Sequence, residues 1–313
     1  MSTVVFVTDA SPSVGGGHLA RCLALAEAFV ARGWYVRFAM PDAARAVLAD
    51  GAAHEVFAVP PTLPDPKALA ALVGYADLVV SDRYDMTADH ERALQARVPT
   101  VAVADGPTRR FAVRALIDPT PLRDAAAYDT VAPGARRLVG AGFAPLRGAF
   151  ARHRDAALAR RRAGDPVRRI AVALGAGASA AGVGLVALAR AVCPAATVDA
   201  VAGLSVEAVA ALYARADLAL GAAGVSALER CVVGLPTLTF ALAGNQRDAL
   251  DGLVRAGAVA SPGPWDPGHD GAWRSALSEL VGDAATRMAM AERAAALVDG
   301  QGAGRAVDAL VNL

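Results

Sequence analysis

Short apolar runs alternate with amphipathic stretches along most of the chain. Residues 4–8 form a run rich in β-branched side chains, the pattern of a strand buried on both faces of a parallel sheet. After a loop over residues 9–17, Leu19, Cys22, Leu23, Ala26 and Val30 recur at i, i+3, i+4, i+7 and i+11, which predicts a helix with one core-facing stripe, closed by Gly33. The alternation continues with strands at 35–39, 55–59, 78–81 and 100–104 and helices at 67–74 and 88–96. Short strands between helical segments imply βα units.

Between residues 142 and 166 the pattern changes. Arg147, Arg152, Arg154, Arg160, Arg161 and Arg162 crowd a polar, helix-compatible stretch ended by Gly164 and Pro166, which reads as a connector with a solvated basic face. A second βα series follows, with strands at 168–174, 197–201, 216–220 and 237–242. Helices are expected up to Val192, over 206–214, and from Val225, where Val225, Leu228 and Val232 share a face. The tail is mostly helical, with segments at 284–298 and 306–310. The expected architecture is α/β: a Rossmann-like domain over 1–145, a connector over 146–166 and a second Rossmann-like domain over 167–313, its last helices packing back on the first. Ligands of such proteins lie beyond the carboxyl ends of the strands, so two sheets facing each other across a cleft would gather the loops after those strands.

Composition narrows the function classes. The 313 residues are 55% hydrophobic but only 5% aromatic, so the cores are built from Ala, Val and Leu. A formal charge of +1 argues against a nucleic-acid groove or a membrane-binding surface. Lys67 is the only lysine, and the other basic residues are Arg spread along the chain. Residues 170–189 carry no charge over 20 positions, but four glycines divide the stretch into strand, loop and helix rather than a membrane span. Cys22, Cys193 and Cys231 form no C-x-x-C pair and read as reduced core residues. With no signal-peptide pattern at the N-terminus, the expected location is cytoplasmic.

Three loops carry the candidate chemistry. His18 follows Gly15, Gly16 and Gly17 at the start of the first helix, where the helix dipole favours a neutral imidazole able to accept a proton and Gly16 and Gly17 clear space for a ligand. Asp82-Arg83-Tyr84-Asp85 follows a buried strand; Asp82 could orient a base or bond a sugar hydroxyl, Tyr84 could pack on a sugar ring, and Asp85 reads as a cap for the next helix. His54, His90, His153 and His269 read as surface residues. In the second half, Gly221-Ala222-Ala223-Gly224 leads into a helix whose first turn suits a diphosphate, and Glu229 one turn on could accept bonds from ribose hydroxyls. The alternative is tight strand–helix packing at the glycines with a solvated Glu229. There is no H-E-x-x-H, Cys/His cluster, P-loop ending, dinucleotide fingerprint or G-x-S-x-G elbow. No metal or other cofactor is expected.

Thr8-Asp9-Ala10 followed by Gly15-Gly16-Gly17-His18-Leu19-Ala20-Arg21-Cys22-Leu23 resembles the opening of the PseG-type UDP-sugar hydrolases of pseudaminic acid synthesis. Val80-Ser81-Asp82-Arg83-Tyr84, Pro145-Leu146-Arg147-Gly148-Ala149-Phe150, and Gly221 to Cys231 with Gly234-Leu235-Pro236 and Asn245-Gln246 resemble further segments of that family, the last most closely. The resemblance implies a two-domain GT-B fold and removal of UDP from a 2,4-diacetamido-2,4,6-trideoxy hexose by inverting, metal-independent attack of water at the anomeric carbon. It implies His18 as the base, Asn245 as a sugar contact beside Gln246, Glu229 as the uridine ribose ligand, and Ser226 with its Gly224 loop as the diphosphate holder. The family usually has Arg at Thr8, Asp-Asp near Ala104-Asp105, His at Arg83 and Gly-Gly-Ser-Asp at Gly175-Ala176-Gly177-Ala178. With four loop positions altered, a glycosyltransferase and a catalytically silent nucleotide-sugar-binding protein stay open beside the hydrolase.

Overall fold

The computed structural model describes residues 1–9, 16–42, 54–174 and 180–313. The chain divides into two compact units, Met1–Arg147 with Gln301–Leu313, and Gly148–Gly300. Both are α/β with parallel sheets.

Unit 1 contains β1 (Thr3–Thr8), α1 (Gly17–Val30), β2 (Tyr35–Met40), β3 (Glu55–Ala58), α2 (Pro66–Val73), β4 (Leu78–Asp82), α3 (Ala88–Gln95), β5 (Thr100–Val103), β6 (Ala115–Asp118) and β7 (Arg136–Val139). Its seven strands run parallel in the order β3-β2-β1-β4-β5-β6-β7. Val4 and Phe6 enter the core shared with α1, while Val5 and Val7 enter the one shared with α2 and α3. Burial on both faces is why β1 reads as a continuous apolar run. The helix α1 buries Leu19, Cys22, Leu25, Ala26 and Phe29. Val30, expected to end that stripe, is exposed, because the face drifts to Phe29 at the last turn.

Unit 2 contains α4 (Gly148–Arg162), β8 (Arg169–Ala173), α5 (Ala180–Val192), β9 (Thr197–Ala200), α6 (Val206–Arg215), β10 (Leu218–Ala222), α7 (Val225–Val232), β11 (Thr237–Phe240), α8 (Arg247–Arg255), α9 (Gly271–Gly282) and α10 (Ala284–Leu297). Its strands run parallel in the order β11-β10-β8-β9.

Two expectations about organisation are corrected. The stretch 146–166 is not a free connector: most of it is α4, which packs within unit 2 against α6, α7 and α10. Nor is its basic face simply solvated. Arg154 donates to the carbonyls of Val232, Ala295 and Val298, and Arg161 to those of Tyr213 and Ala216, so these side chains satisfy carbonyls that the ends of α6, α7 and α10 leave without intrahelical partners. Burial, with the neighbouring Arg160 charge, pulls the Arg161 pKa down to about 9. The second unit ends at Gly300, and the tail belongs with the first, in line with the expected packing of the last helices. The last helix, α11 (Gly302–Leu310), buries Ala303, Ala306, Val307 and Leu310 in the core of α1, and Arg32 bonds Asp308 at 2.7 Å. No described helix is long and apolar enough to cross a membrane.

In each sheet the chain adds strands on one side of a central strand and then crosses to its other side. The crossing falls between β1 and β4 in unit 1 and between β8 and β10 in unit 2. Such switch points leave a crevice beyond the carboxyl ends of the strands. The candidate residues of each unit lie there.

Candidate functional site

In unit 1, Thr8 and Asp82 are register partners at the carboxyl ends of β1 and β4. Gly16 caps α1 and Gly17 opens it, placing His18 in the first turn beside the end of β4. His18 Nδ1 is hydrogen-bonded to Asp82 Oδ1. Nδ1 also lies 3.1 Å from Arg21 Nη2, a group that only donates, but Nη2 has a closer acceptor in Asp82 Oδ1 at 2.8 Å. The carboxylate only accepts, so we assign the proton to Nδ1 and the lone pair to Nε2, which has no hydrogen-bond partner among the described residues.

Asp82 is deeply buried. It is 1% exposed, and besides His18 it accepts from Arg21 Nε at 3.0 Å and Arg21 Nη2 at 2.8 Å. Of the two roles open to it, orienting the imidazole fits this placement and contact with a sugar does not. Arg21 stands one turn beyond His18 on the same face of α1 and also bonds Asp105, just past β5. Burial alone would lower the Arg21 pKa, and the two carboxylates reverse this, raising it well above its ordinary value. Burial alone would raise the Asp105 pKa, but the Arg21 charge and hydrogen bond hold it below the usual range, so this carboxylate stays ionised near neutrality.

Tyr84 is 57% exposed and stands edge-on to the His18 ring, with centroids 4.5 Å apart. Its hydroxyl donates to Asp105 Oδ2 at 3.1 Å. Burial, reinforced by the Asp105 charge, pushes its pKa up to about 12, so it is a neutral donor near pH 7. Arg83 turns away into a different contact. Its Nε and Nη2 grip both oxygens of Asp85 at 2.7 Å, and Nη2 bonds the Pro61 carbonyl. Asp85 is therefore a partner of Arg83 and of the Leu63 N–H, not a helix cap; Thr87 caps α3 in a capping box closed by His90. Among the other histidines, His269 is exposed, whereas His54, His90 and His153 are half-buried, His54 against Phe38 and His90 on the Pro64 carbonyl.

Arg21 and Asp105 were not singled out from composition or spacing. The signal lay in the i, i+3 relation of His18 and Arg21, and in acids at the ends of two apolar runs that become the neighbouring strands β4 and β5.

In unit 2, β10 extends two residues further than its apolar run suggested, so Gly221 is a strand residue and not part of the loop. A Cβ there would lie 2.1 Å from the Ala173 carbonyl oxygen on β8 and 3.1 Å from Arg230 Nη1. Close packing explains Gly221, and a ligand is not needed to account for it. Gly221→Ala is expected to cost about 3 kcal/mol, since two backbones must separate. Urea unfolding checks this: a clearly lower midpoint is expected, and an unchanged midpoint would contradict the packing.

Gly224 caps α7 with no side-chain bond, and Gln246 Nε2 comes within 3.2 Å of where its Cβ would stand. Ser226 lies in the first turn of α7, where its Oγ accepts from Arg230 Nη1 at 3.3 Å. Glu229 is half-buried one turn along. Gln246 holds its loop by accepting from the Leu242 N–H at 2.9 Å, and Asn245 beside it is exposed. Unit 2 thus brings Gly224, Ser226, Glu229, Asn245 and Gln246 around the carboxyl ends of β10 and β11. Gly15 and Gly175–Ala178 lie outside the described residues. Among the described residues, no group of three or more His, Cys, Asp or Glu side chains is placed to hold a metal ion.

Two units of this kind, each with its switch point, are those of the GT-B fold. The chain is similar in structure to Acinetobacter baumannii MurG, with a TM-score of 0.69 and 14% identity over 100% of both chains. It is similar to the UDP-GlcNAc 2-epimerase of Neisseria meningitidis bound to UDP-GlcNAc, with a TM-score of 0.64 and 12% identity over 99% of this chain and 100% of that one. The spinosyn rhamnosyltransferase SpnG aligns over 100% of both chains, with a TM-score of 0.63 and 16% identity. No family model matches the sequence, and no curated protein matches it.

Proposed function

We propose that this protein is a nucleotide-sugar hydrolase that cleaves a UDP-linked 2,4-diacetamido-2,4,6-trideoxy hexose to free sugar and UDP, in the synthesis of pseudaminic acid. The observation that carries the reading is the Asp82–His18 pair, which fixes the imidazole with Nε2 as acceptor. His18 Nε2 takes a proton from water as the water oxygen bonds to the anomeric carbon. The bond from that carbon to the UDP oxygen breaks, its electron pair leaves with the diphosphate, and the configuration inverts. Asp82 stabilises the imidazolium that forms, and the ionised Asp105 holds Arg21 in place behind it. Tyr84 offers a sugar both a ring face and a neutral hydroxyl.

Unit 2 supplies the nucleotide side of this reading. The first turn of α7, with Gly224 and Ser226, receives the diphosphate, and the helix-end N–H groups favour the charge that develops on the leaving group. Glu229 accepts from the ribose hydroxyls, and Asn245 and Gln246 contact the sugar. The identity of the sugar rests on the family resemblance of these motifs. Four altered positions in that resemblance, and solved neighbours that include glycosyltransferases, favour one second reading, transfer of the sugar to an acceptor hydroxyl through the same base.

Incubation with a panel of UDP-sugars, followed by phosphorus and proton NMR, tests the proposal. Free sugar plus UDP without any acceptor, with the opposite anomer appearing first, is the expected result. Turnover that requires an acceptor would replace hydrolysis with transfer, and UDP binding without turnover under either condition would contradict both.

A further inference from the structure

One buried charge in unit 2 has no role in the chemistry above. Arg230, on α7, is 0% exposed. Its Nη1 donates to Ser226 Oγ, one turn back on the same helix, and its Nη2 donates to the Ala222 carbonyl at 2.9 Å. The third donor, Nε, is buried without a partner. Tyr213 is also in contact with the guanidinium: burial pushes its pKa up to about 12, against the opposing effect of the Arg230 charge and hydrogen bond. These hydrogen-bond partners are neutral; the Glu229 carboxylate acts on Tyr213 in the same cluster, but no ion pair joins Arg230 to a carboxylate among the described residues.

A buried cation with no carboxylate bonded to it, and with its Nε left without a partner, has its desolvation only partly compensated. It makes physical sense where an anion arrives from outside. The place for one is the first turn of α7, capped by Gly224 without a side-chain bond and directly above this guanidinium's contact with Ser226. Gly221 contributes to the arrangement, since the absence of its side chain lets Arg230 Nη1 sit 3.1 Å from the position a Cβ would fill.

We infer that Arg230 is a positioning residue for a nucleoside diphosphate, acting through Ser226. Because Ser226 Oγ spends a lone pair on the Arg230 N–H, its own hydrogen is turned outward as a donor to a phosphate oxygen. The buried charge adds to the field of the helix end in the same direction. Arg230 itself touches no ligand. This inference rests on the nucleotide site proposed for unit 2.

The test is isothermal titration of the full chain with UDP and, separately, with uridine, for wild type, Arg230→Gln, Arg230→Lys, Ser226→Ala and the Arg230→Gln/Ser226→Ala double variant. Arg230→Gln is expected to weaken UDP about tenfold or more while leaving uridine unchanged. Arg230→Lys restores part of the loss, and the double variant loses little beyond Arg230→Gln alone, because the two side chains act as one unit. Equal losses for UDP and uridine would reduce Arg230 to a structural residue, and unchanged UDP affinity would remove its role altogether. If the Arg230 variants do not fold, Ser226→Ala decides: a loss confined to UDP supports the inference, and no loss overturns it. Wild-type protein that binds neither ligand would instead overturn the nucleotide site itself.

Discussion

His18→Phe is expected to lower turnover of the wild-type protein's UDP-sugar by about a thousandfold or more, with UDP affinity unchanged within about twofold. The ring is replaced by one of similar size, so packing against Tyr84 survives while the proton acceptor is lost. The three side chains bonded to or packed on the imidazole are unsuited to replace it. Asp82 is buried behind the imidazole, Arg21 is a cation, and Tyr84 is held neutral, as its pKa is pushed up to about 12. A thousandfold loss corresponds to about 4 kcal/mol of transition-state stabilisation. An unchanged far-ultraviolet circular dichroism spectrum separates this outcome from unfolding of unit 1, since the proposed UDP ligands all belong to unit 2 and nucleotide affinity reports on that unit alone. Turnover within about tenfold of wild type in the phenylalanine variant would remove His18 from the mechanism.

Asp82→Asn is expected to have a comparable effect, about a thousandfold, through a different cause. The carboxylate presents two acceptors where Arg21 and His18 need both. Asparagine offers one acceptor and one donor. If its amide NH2 meets Nδ1, the ring proton moves to Nε2 and the lone pair points the wrong way. If the NH2 instead meets Arg21, two donors face each other and the clasp that holds the ring loosens. The first arrangement removes the base without removing the imidazole, and the second leaves the base without a fixed orientation. Steady-state kinetics would show the loss in kcat, with UDP binding retained, and a variant with wild-type kcat would mean that Asp82 only fills space.

Much of this arrangement was legible in the chain. Glycines 15–17 before an amphipathic stretch placed His18 in the first turn of α1, and the apolar run before Asp82 placed that acid at a strand end. Their proximity was not legible, because it depends on β1 and β4 being neighbours while β2 and β3 lie on the other side. Periodicity finds strands but not their order. The same limit hid Arg21: its spacing from His18 is local, whereas its partners Asp82 and Asp105 come from β4 and the end of β5.

Two strands escaped notice for separate reasons. The strand β6 is four residues long, Ala-Leu-Ile-Asp, too short for any period, and β7 begins with Arg136 and Arg137, which read as a loop. As the edge strand of its sheet, β7 can carry those charges. In unit 2 the end of β10 was misplaced because Gly221 and Ala222 look like loop residues; the close approach to Ala173 that requires a glycine exists only once β8 and β10 pair. The arginines of α4 were misread for a related reason, since the carbonyls they satisfy come from helices up to 144 residues away.

Nitrogen-15 NMR of the histidine ring in the full chain reads directly whether Asp82 fixes the His18 tautomer. With the ring neutral, Nδ1 is expected to be protonated, in a strong hydrogen bond that Asp82→Asn weakens or removes, and Nε2 to be unprotonated. A wild-type spectrum with the proton on Nε2 would contradict it, since no lone pair would then be available to accept a proton from water.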